Sequence, residues 1–150
     1  MTDFVSKVKE FNQIAGTKEE FNPRKTCLYT GLVLEEVAEL VDSYGDRVLD
    51  SFVELLVAQA NLFKSGHYDS LTKNMDRVNA VKEAIDIAVV AVGQVIALGG
   101  DVTGAANCVA DNNLEKFPLI DGQRVVIKDA NGKVKKPDGY KPADVTQFMR

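Results

Sequence analysis

The sequence predicts an all-α fold, a helical bundle of about five helices followed by a small C-terminal β-hairpin and coil tail. Apolar residues recur at intervals of three and four along most of residues 4–116, which is the spacing of helices with one buried side. Beyond this stretch the pattern changes to short β-like runs. Glycines divide the helical pattern into separate helices, at Gly16, Gly45, Gly66 and Gly99.

Each predicted helix runs from a capping or loop residue to a glycine or proline. The expected ranges are 4–15, about 26–44, 46–64, 70–98 and 103–116. The apolar runs at 125–127 and 133–134 flank Asp129-Ala130-Asn131-Gly132, which predicts a hairpin with glycine at its turn. We expect a single domain over residues 1–150, with a helical core of about 3–117 and a hairpin and tail of about 118–150.

The segment 84–100 is apolar except for Asp86 and Gln94. It is shorter than the roughly 20 residues that cross a bilayer, and a carboxylate within hydrocarbon is costly. The segment therefore predicts a buried helix, covered on several sides by the bundle or by another subunit. We expect no membrane association, and a homodimer or homotetramer.

The charge of the chain argues against nucleic acid as a partner. The formal net charge is −4, and phosphate-backbone affinity depends on clustered Lys and Arg. Cys27 and Cys108 form no CxxC pair and are expected to be reduced, and the N-terminus lacks the basic start and apolar run of a secretory signal. The expected location is the cytoplasm.

Two acidic pairs are the main chemical feature of the sequence. Glu36 and Glu39 lie three residues apart on the second predicted helix, and Glu83 and Asp86 on the fourth. Residues at this spacing share one face of a helix. Packed face to face, the two helices would enclose a cage of four carboxylates, which favours Mg²⁺ or Mn²⁺. Asp86 stands between two isoleucines, so its charge needs a cation or a hydrogen-bonded partner.

A simpler interpretation of the acidic pairs is that they are solvated helix surface. Carboxylates at such spacings are common on exposed helix faces. A series of acidic residues spaced by four is expected to form an exposed face of this kind. That series is Asp42, Asp46, Asp50 and Glu54.

The motifs together resemble the MazG-like, all-α nucleoside triphosphate pyrophosphohydrolases, which are related to the phosphoribosyl-ATP pyrophosphohydrolases. The family pattern is EExxE on one helix and ExxD on a later one, and the sequence has them at 35–39 and 83–86. It also has the family's Asn-x-x-Lys at 113–116 and a Gly-Lys-x-x-Lys-Pro tail at 132–137. The four elements occur in the family's order.

The resemblance implies metal-dependent hydrolysis of a nucleoside or deoxynucleoside triphosphate to the monophosphate and pyrophosphate, in nucleotide-pool clearing. Glu35 would orient or deprotonate the attacking water, or help to hold a second ion. The implied ligands of Mg²⁺, or of Mn²⁺ in its place, are Glu36, Glu39, Glu83 and Asp86. The implied substrate-binding residues are Asn113, Lys116, Lys133 and Lys136.

One departure from the family pattern is the long interval between Glu39 and Glu83, which suggests an enlarged or inserted third helix. Glu54 falls where a shorter member might place its second acidic pair, but no Asp follows three residues later. Two alternatives remain at this point. One is a phosphoribosyl-ATP pyrophosphohydrolase, and the other is a non-catalytic helical module that binds a basic partner through its acidic face.

Overall fold

The computed structural model describes residues 3–128 and 134–150 of the chain. The all-α class with a small C-terminal hairpin is confirmed. The α-helices are α1 Phe4–Ile14, α2 Pro23–Asp42, α3 Asp50–Lys64, α4 Arg77–Ala97 and α5 Val102–Leu114, and the strands are β1 Leu119–Ile120 and β2 Gln123–Arg124. Short 3₁₀ helices cover Arg47–Leu49, Asp69–Asn74 and Thr146–Phe148.

Side-chain caps explain where the helices begin. Asn22 accepts a hydrogen bond from the backbone N–H of Lys25 at 2.9 Å, so α2 begins at Pro23 rather than near residue 26. The fourth helix was expected from about residue 70, but that stretch forms a 3₁₀ helix. Asp76 then accepts a hydrogen bond from the N–H of Asn79 at 3.0 Å, and α4 starts beside it.

The chain divides into two compact units. Unit 1 takes in the described residues up to Lys18 and from Val81 onward, and unit 2 is Glu19–Ala80. Helix α4 therefore begins in the last residues of unit 2 and continues in unit 1. The expectation of a single domain over 1–150 stays a prediction.

Unit 2 is built on the packing of α2 along α3. The contact uses small side chains, with Ala38 and Ala60 almost fully buried and Gly31 directly beneath α3. A Cβ at Gly31 would lie 2.7 Å from the carbonyl oxygen of Ala60, so glycine is required for this close approach. The Arg24 guanidinium donates hydrogen bonds to carbonyls in the last turn of α3, which ties the start of α2 to the end of α3.

In unit 1, α1 packs against α5 around Phe117, which is fully buried. The rings of Phe11 and Phe117 are 5.0 Å apart. Arg124 donates to the carbonyl of Leu114 at 2.8 Å and so joins the hairpin to the end of α5. The tail is held by Tyr140, whose hydroxyl donates to Asn112 on α5 at 2.6 Å.

A hairpin that the sequence did not predict precedes the position of the expected one. Its strands are β1 and β2, and the turn is Asp121-Gly122, with φ values of 50° and 78°. Asp-Gly is a favoured pair for a tight turn with positive φ, and this signal was overlooked. The run at 125–127 still pairs, because the N–H of Lys135 donates to the carbonyl of Ile127 at 2.7 Å. The predicted turn at 129–132 lies outside the described residues.

Helix α4 differs from the buried helix that its composition predicted, since none of its residues is buried. None of the described elements of unit 1 covers it, and cover by another subunit stays a prediction. Apolar residues of neighbouring segments are also exposed, among them Val48, Phe52 and Leu55. Helical spacing identifies an apolar side but does not show what lies against it. No helix of the described chain is long and apolar enough to cross a membrane.

Candidate functional site

The acidic run of α2 is divided between two environments. Cys27, Gly31 and Ala38 are buried, and their spacing marks the side of α2 that faces inward. Glu35 lies on this side and is half-buried, whereas Glu36 and Glu39 are exposed. The packing of α2 on α3 therefore separates Glu35 from its two neighbours.

Glu35 is paired with Lys64, in the last turn of α3. Lys64 Nζ donates to Glu35 Oε1 at 2.6 Å, and the two side chains are 24% and 39% exposed. Gly31 makes this pair possible, because a Cβ there would lie 2.7 Å from Cγ of Lys64. A short, partly buried hydrogen bond between an ammonium and a carboxylate fixes the orientation of the carboxylate better than an exposed contact does.

Sequence reasoning did not identify Lys64. It lies 29 residues from Glu35, and no local motif links the two positions. The available signal was Gly31, one turn before Glu35 on the same side of α2, since a glycine inside a helix suggests a close approach by another element.

The second acidic pair, on α4, is also joined by a lysine. Lys82 Nζ lies 3.0 Å from Glu83 Oε1 and 2.8 Å from Asp86 Oδ2. These hydrogen bonds, that to Asp86 above all, raise the pKa of the Lys82 ammonium above its usual value. The cation that Asp86 was expected to need is thus Lys82, although Asp86 is exposed rather than buried.

Two predicted substrate-binding residues meet at the end of α5. Lys116 Nζ donates to Asn113 Oδ1 at 2.6 Å and lies 5.8 Å from the centre of the Phe11 ring. Lys136, in the tail, is exposed, with its ammonium 5.2 Å from the ring centre of Tyr140. Lys133 lies outside the described residues.

The predicted ligands are drawn from both units, with Glu36 and Glu39 in unit 2 and Glu83 and Asp86 in unit 1. Their convergence into one cage stays a prediction. Across residues 3–128 and 134–150, no three or more His, Cys, Asp or Glu side chains are grouped so as to hold a metal ion. Glu54, the rival candidate, is exposed on α3.

The donor chemistry of the predicted ligands fits Mg²⁺, since all four are carboxylates. In unit 1 the Lys82 ammonium lies at hydrogen-bond distance from both Glu83 and Asp86. In unit 2 the Lys64 ammonium is paired with Glu35, the residue next to Glu36. These lysines offset part of the negative charge that closely spaced carboxylates accumulate. A divalent cation would offset the same negative charge at Glu83 and Asp86.

Comparison of the chain with models of protein families, with curated proteins and with solved structures finds no match.

Proposed function

We propose that the chain is a metal-dependent hydrolase that converts a nucleoside or deoxynucleoside triphosphate to the monophosphate and pyrophosphate. The ordered motifs of the sequence support this proposal. The observation that carries it is the partly buried pair of Glu35 and Lys64, whose side chains are 39% and 24% exposed. The exposed contact of Lys82 with Asp86 is of a kind common on solvated helix faces and adds no support of its own.

In the proposed reaction, water attacks the α-phosphorus, the bond from that phosphorus to the bridging oxygen breaks, and pyrophosphate leaves. Glu35 is the catalytic residue that accepts the proton of the attacking water. Lys64 is a positioning residue, because it holds one oxygen of the Glu35 carboxylate in a fixed orientation.

Four carboxylates would hold Mg²⁺, or Mn²⁺ in its place, namely Glu36, Glu39, Glu83 and Asp86. When bound, the ion would neutralise triphosphate charge and stabilise the leaving pyrophosphate. Lys116 would contact the phosphates as a point charge, oriented by its hydrogen bond to Asn113. Lys133 and Lys136 would add positive charge from the tail.

The proposed setting is nucleotide-pool clearing in the cytoplasm, by a homodimer or homotetramer that binds neither nucleic acid nor membranes. Free thiols at Cys27 and Cys108 agree with a reducing compartment. The acidic net charge agrees with a small phosphorylated substrate that arrives with its own cation.

A substrate screen tests the proposal. The purified chain is incubated with Mg²⁺ and the common and damaged nucleoside triphosphates, and with phosphoribosyl-ATP, and products are identified by phosphorus NMR. We expect pyrophosphate and a monophosphate, with Glu35→Gln as the inactive control. Turnover of phosphoribosyl-ATP alone would identify the histidine-pathway enzyme instead. Release of orthophosphate as the first product would overturn the mechanism, and no turnover of any substrate would favour the non-catalytic module.

A further inference from the structure

The side chain of Arg24, in the first turn of α2, reaches the C-terminal end of α3. Its guanidinium donates to the carbonyl of Phe63 at 3.4 Å and to the carbonyl of Lys64. The last carbonyls of a helix have no partner within that helix, so a cation that donates to them supplies the missing hydrogen bonds and offsets the negative end of the helix dipole. Arg24 therefore holds the turn of α3 that carries Lys64.

The carbonyl of Lys64 is bonded differently from the carbonyls that precede it. Backbone N–H groups of the turn after α3 donate to the carbonyls of Asn61, Leu62 and Phe63. The next carbonyl, that of Lys64, accepts from Arg24, which lies 40 residues earlier in the chain. The backbone at Lys64 is therefore held by a side chain of α2, and not only by the local turn.

Asp69, at the start of the 3₁₀ helix Asp69–Asn74, contacts Arg24 from the other side. Its Oδ2 lies 3.9 Å from Nε of Arg24. The side chain of Asp69 also shares a hydrogen bond with the buried thiol of Cys27, one turn after Arg24 on α2, and its N–H donates to the carbonyl of Gly66 at 3.1 Å. A partly exposed ion pair at this distance adds little stability, so its main effect is to restrict the orientation of the guanidinium.

The side chain of Lys64 is held at its other end by α2. Its ammonium donates to Glu35 Oε1 at 2.6 Å, and its Cγ occupies the space beside Gly31. A lysine side chain is a flexible four-carbon stem, so its ammonium has a fixed position only if both the backbone and the tip are held. Arg24 holds the backbone of Lys64, and Glu35 holds the tip.

We propose that Arg24, oriented by Asp69, is a further positioning residue of the candidate site, which acts on Glu35 through Lys64. Arg24 and Glu35 are separated by about three turns of α2, roughly 16 Å at 1.5 Å per residue, so Arg24 does not act by contact. The effect on turnover rests on the proposed function, whereas the effect on Lys64 itself does not.

The first test measures the mobility of the Lys64 ammonium by ¹⁵N relaxation NMR of the full chain, without nucleotide or metal. Arg24→Met removes the donor, and we expect the order parameter of the Lys64 ammonium to fall to that of the exposed Lys73. Arg24→Lys keeps one donor group and should retain part of the order. Arg47→Met is the matched control, because Arg47 belongs to the same unit and lies 4.0 Å from Asp50. It should leave the Lys64 ammonium unchanged.

Steady-state kinetics measures the effect on turnover. Arg24→Met should lower kcat about 5- to 20-fold with little change in KM, and Asp69→Asn about 2- to 5-fold. Arg24→Lys should recover part of kcat. In the double variant of Arg24→Met and Lys64→Met, kcat should equal that of Lys64→Met alone, because Arg24 acts through Lys64. A substitution that only destabilised the fold would lower kcat in both backgrounds.

An unchanged order parameter of the Lys64 ammonium in folded Arg24→Met would overturn the inference. A wild-type kcat in Arg24→Met, or a further loss of kcat in the double variant, would overturn it as well. Circular dichroism shows whether each variant is folded, and if Arg24→Met is not, the same measurements are made on Arg24→Lys and Asp69→Asn. If the wild-type chain hydrolyses no triphosphate, the proposed function fails, while the relaxation measurement still decides whether Arg24 holds Lys64.

Discussion

At the scale of single residues, the contact of Lys64 with Glu35 adds a member to the candidate site. The contact joins the end of α3 to the inward side of α2, where the absence of a Cβ at Gly31 leaves room for the Lys64 side chain. The effect on kcat of removing the Lys64 ammonium would show whether Lys64 positions Glu35 or only packs against α2.

Removing the Lys64 ammonium is expected to lower turnover more than substrate affinity. In Lys64→Met the aliphatic stem remains, but Glu35 loses its hydrogen bond, so kcat should fall about 10- to 100-fold with little change in KM. Steady-state kinetics measures both constants. Lys64→Arg should recover part of kcat, and Lys73→Met, at an exposed position of the same unit, should behave as wild type. A wild-type kcat in Lys64→Met would remove Lys64 from the site.

Asp86→Asn and Lys116→Ala separate metal binding from substrate binding. Asp86→Asn keeps the shape of the side chain but removes one charge, so metal affinity and turnover should fall together by at least about tenfold, with partial recovery in excess Mg²⁺. Lys116→Ala leaves the carboxylates intact and should mainly raise KM, with little response to added metal. Rates measured across a Mg²⁺ titration distinguish the two.

Wild-type turnover of Asp86→Asn at limiting Mg²⁺ would show that Glu83 and Asp86 are not ligands, and Glu54 would become the next candidate.

The two cysteines are expected to differ in reactivity. Cys27 is buried, and burial, followed by a hydrogen bond with Asp69, raises the pKa of its thiol above the usual value. The folded chain therefore holds this proton more tightly than the unfolded chain, and the resulting stability is lost as pH rises above about 9. At pH 8 a thiol reagent should label Cys108 at least about tenfold faster than Cys27. Labelling rates of Cys27→Ala and Cys108→Ala measure each thiol alone, and equal rates would contradict the expectation.

At the scale of the elements, the close packing of α2 on α3 depends on Gly31. Gly31→Ala would bring a methyl group within 2.7 Å of the carbonyl oxygen of Ala60, which belongs to the backbone and cannot turn aside. We expect a loss of about 1–3 kcal/mol in the free energy of unfolding. The matched control is Gly93→Ala on α4, where no atom lies within 4 Å of the added Cβ, and which should be neutral or gain up to about 1 kcal/mol. Urea unfolding measures both, and similar effects for the two variants would contradict this packing.

Helix α4 shows that an apolar composition does not by itself predict burial. Its apolar sequence predicted burial, and the segment is indeed helical, but none of its residues is buried. A hydrophobic stripe requires cover without specifying whether that cover comes from the same chain or from another copy.

At the scale of the whole molecule, the two units carry different parts of the proposed chemistry. Unit 2 holds Glu35, Lys64 and the acidic pair of α2, and unit 1 holds the acidic pair of α4 and the Lys116 contact. The proposed mechanism therefore predicts that activity requires the intact chain and a divalent cation.

We expect hydrolysis to stop in EDTA and to return with Mg²⁺ or Mn²⁺, because the proposed ligands are all oxygen donors. Zn²⁺ should support it less well, since it prefers nitrogen and sulfur ligands. A pyrophosphate assay with each metal in turn measures this. Full activity in EDTA would rule out the metal-dependent mechanism.

Local signals in the sequence were sufficient for the fold class and for most helix boundaries. Apolar spacing and the glycine stops predicted α1 and the ends of α2 and α3 within a few residues, because each signal acts through neighbours on the same helix. The positions of the acidic pairs on α2 and α4 followed in the same way.

Only the tertiary structure decided which residues meet across the helices. The sequence alone could not bring Lys64 to Glu35, because their contact depends on how closely α3 approaches at Gly31. It also could not show that α4 lies exposed. Apolar periodicity indicates which side of a helix favours burial, but not which element packs against that side. Local structure depends on interactions between residues close in the chain, whereas the site and the assembly depend on distances set by packing.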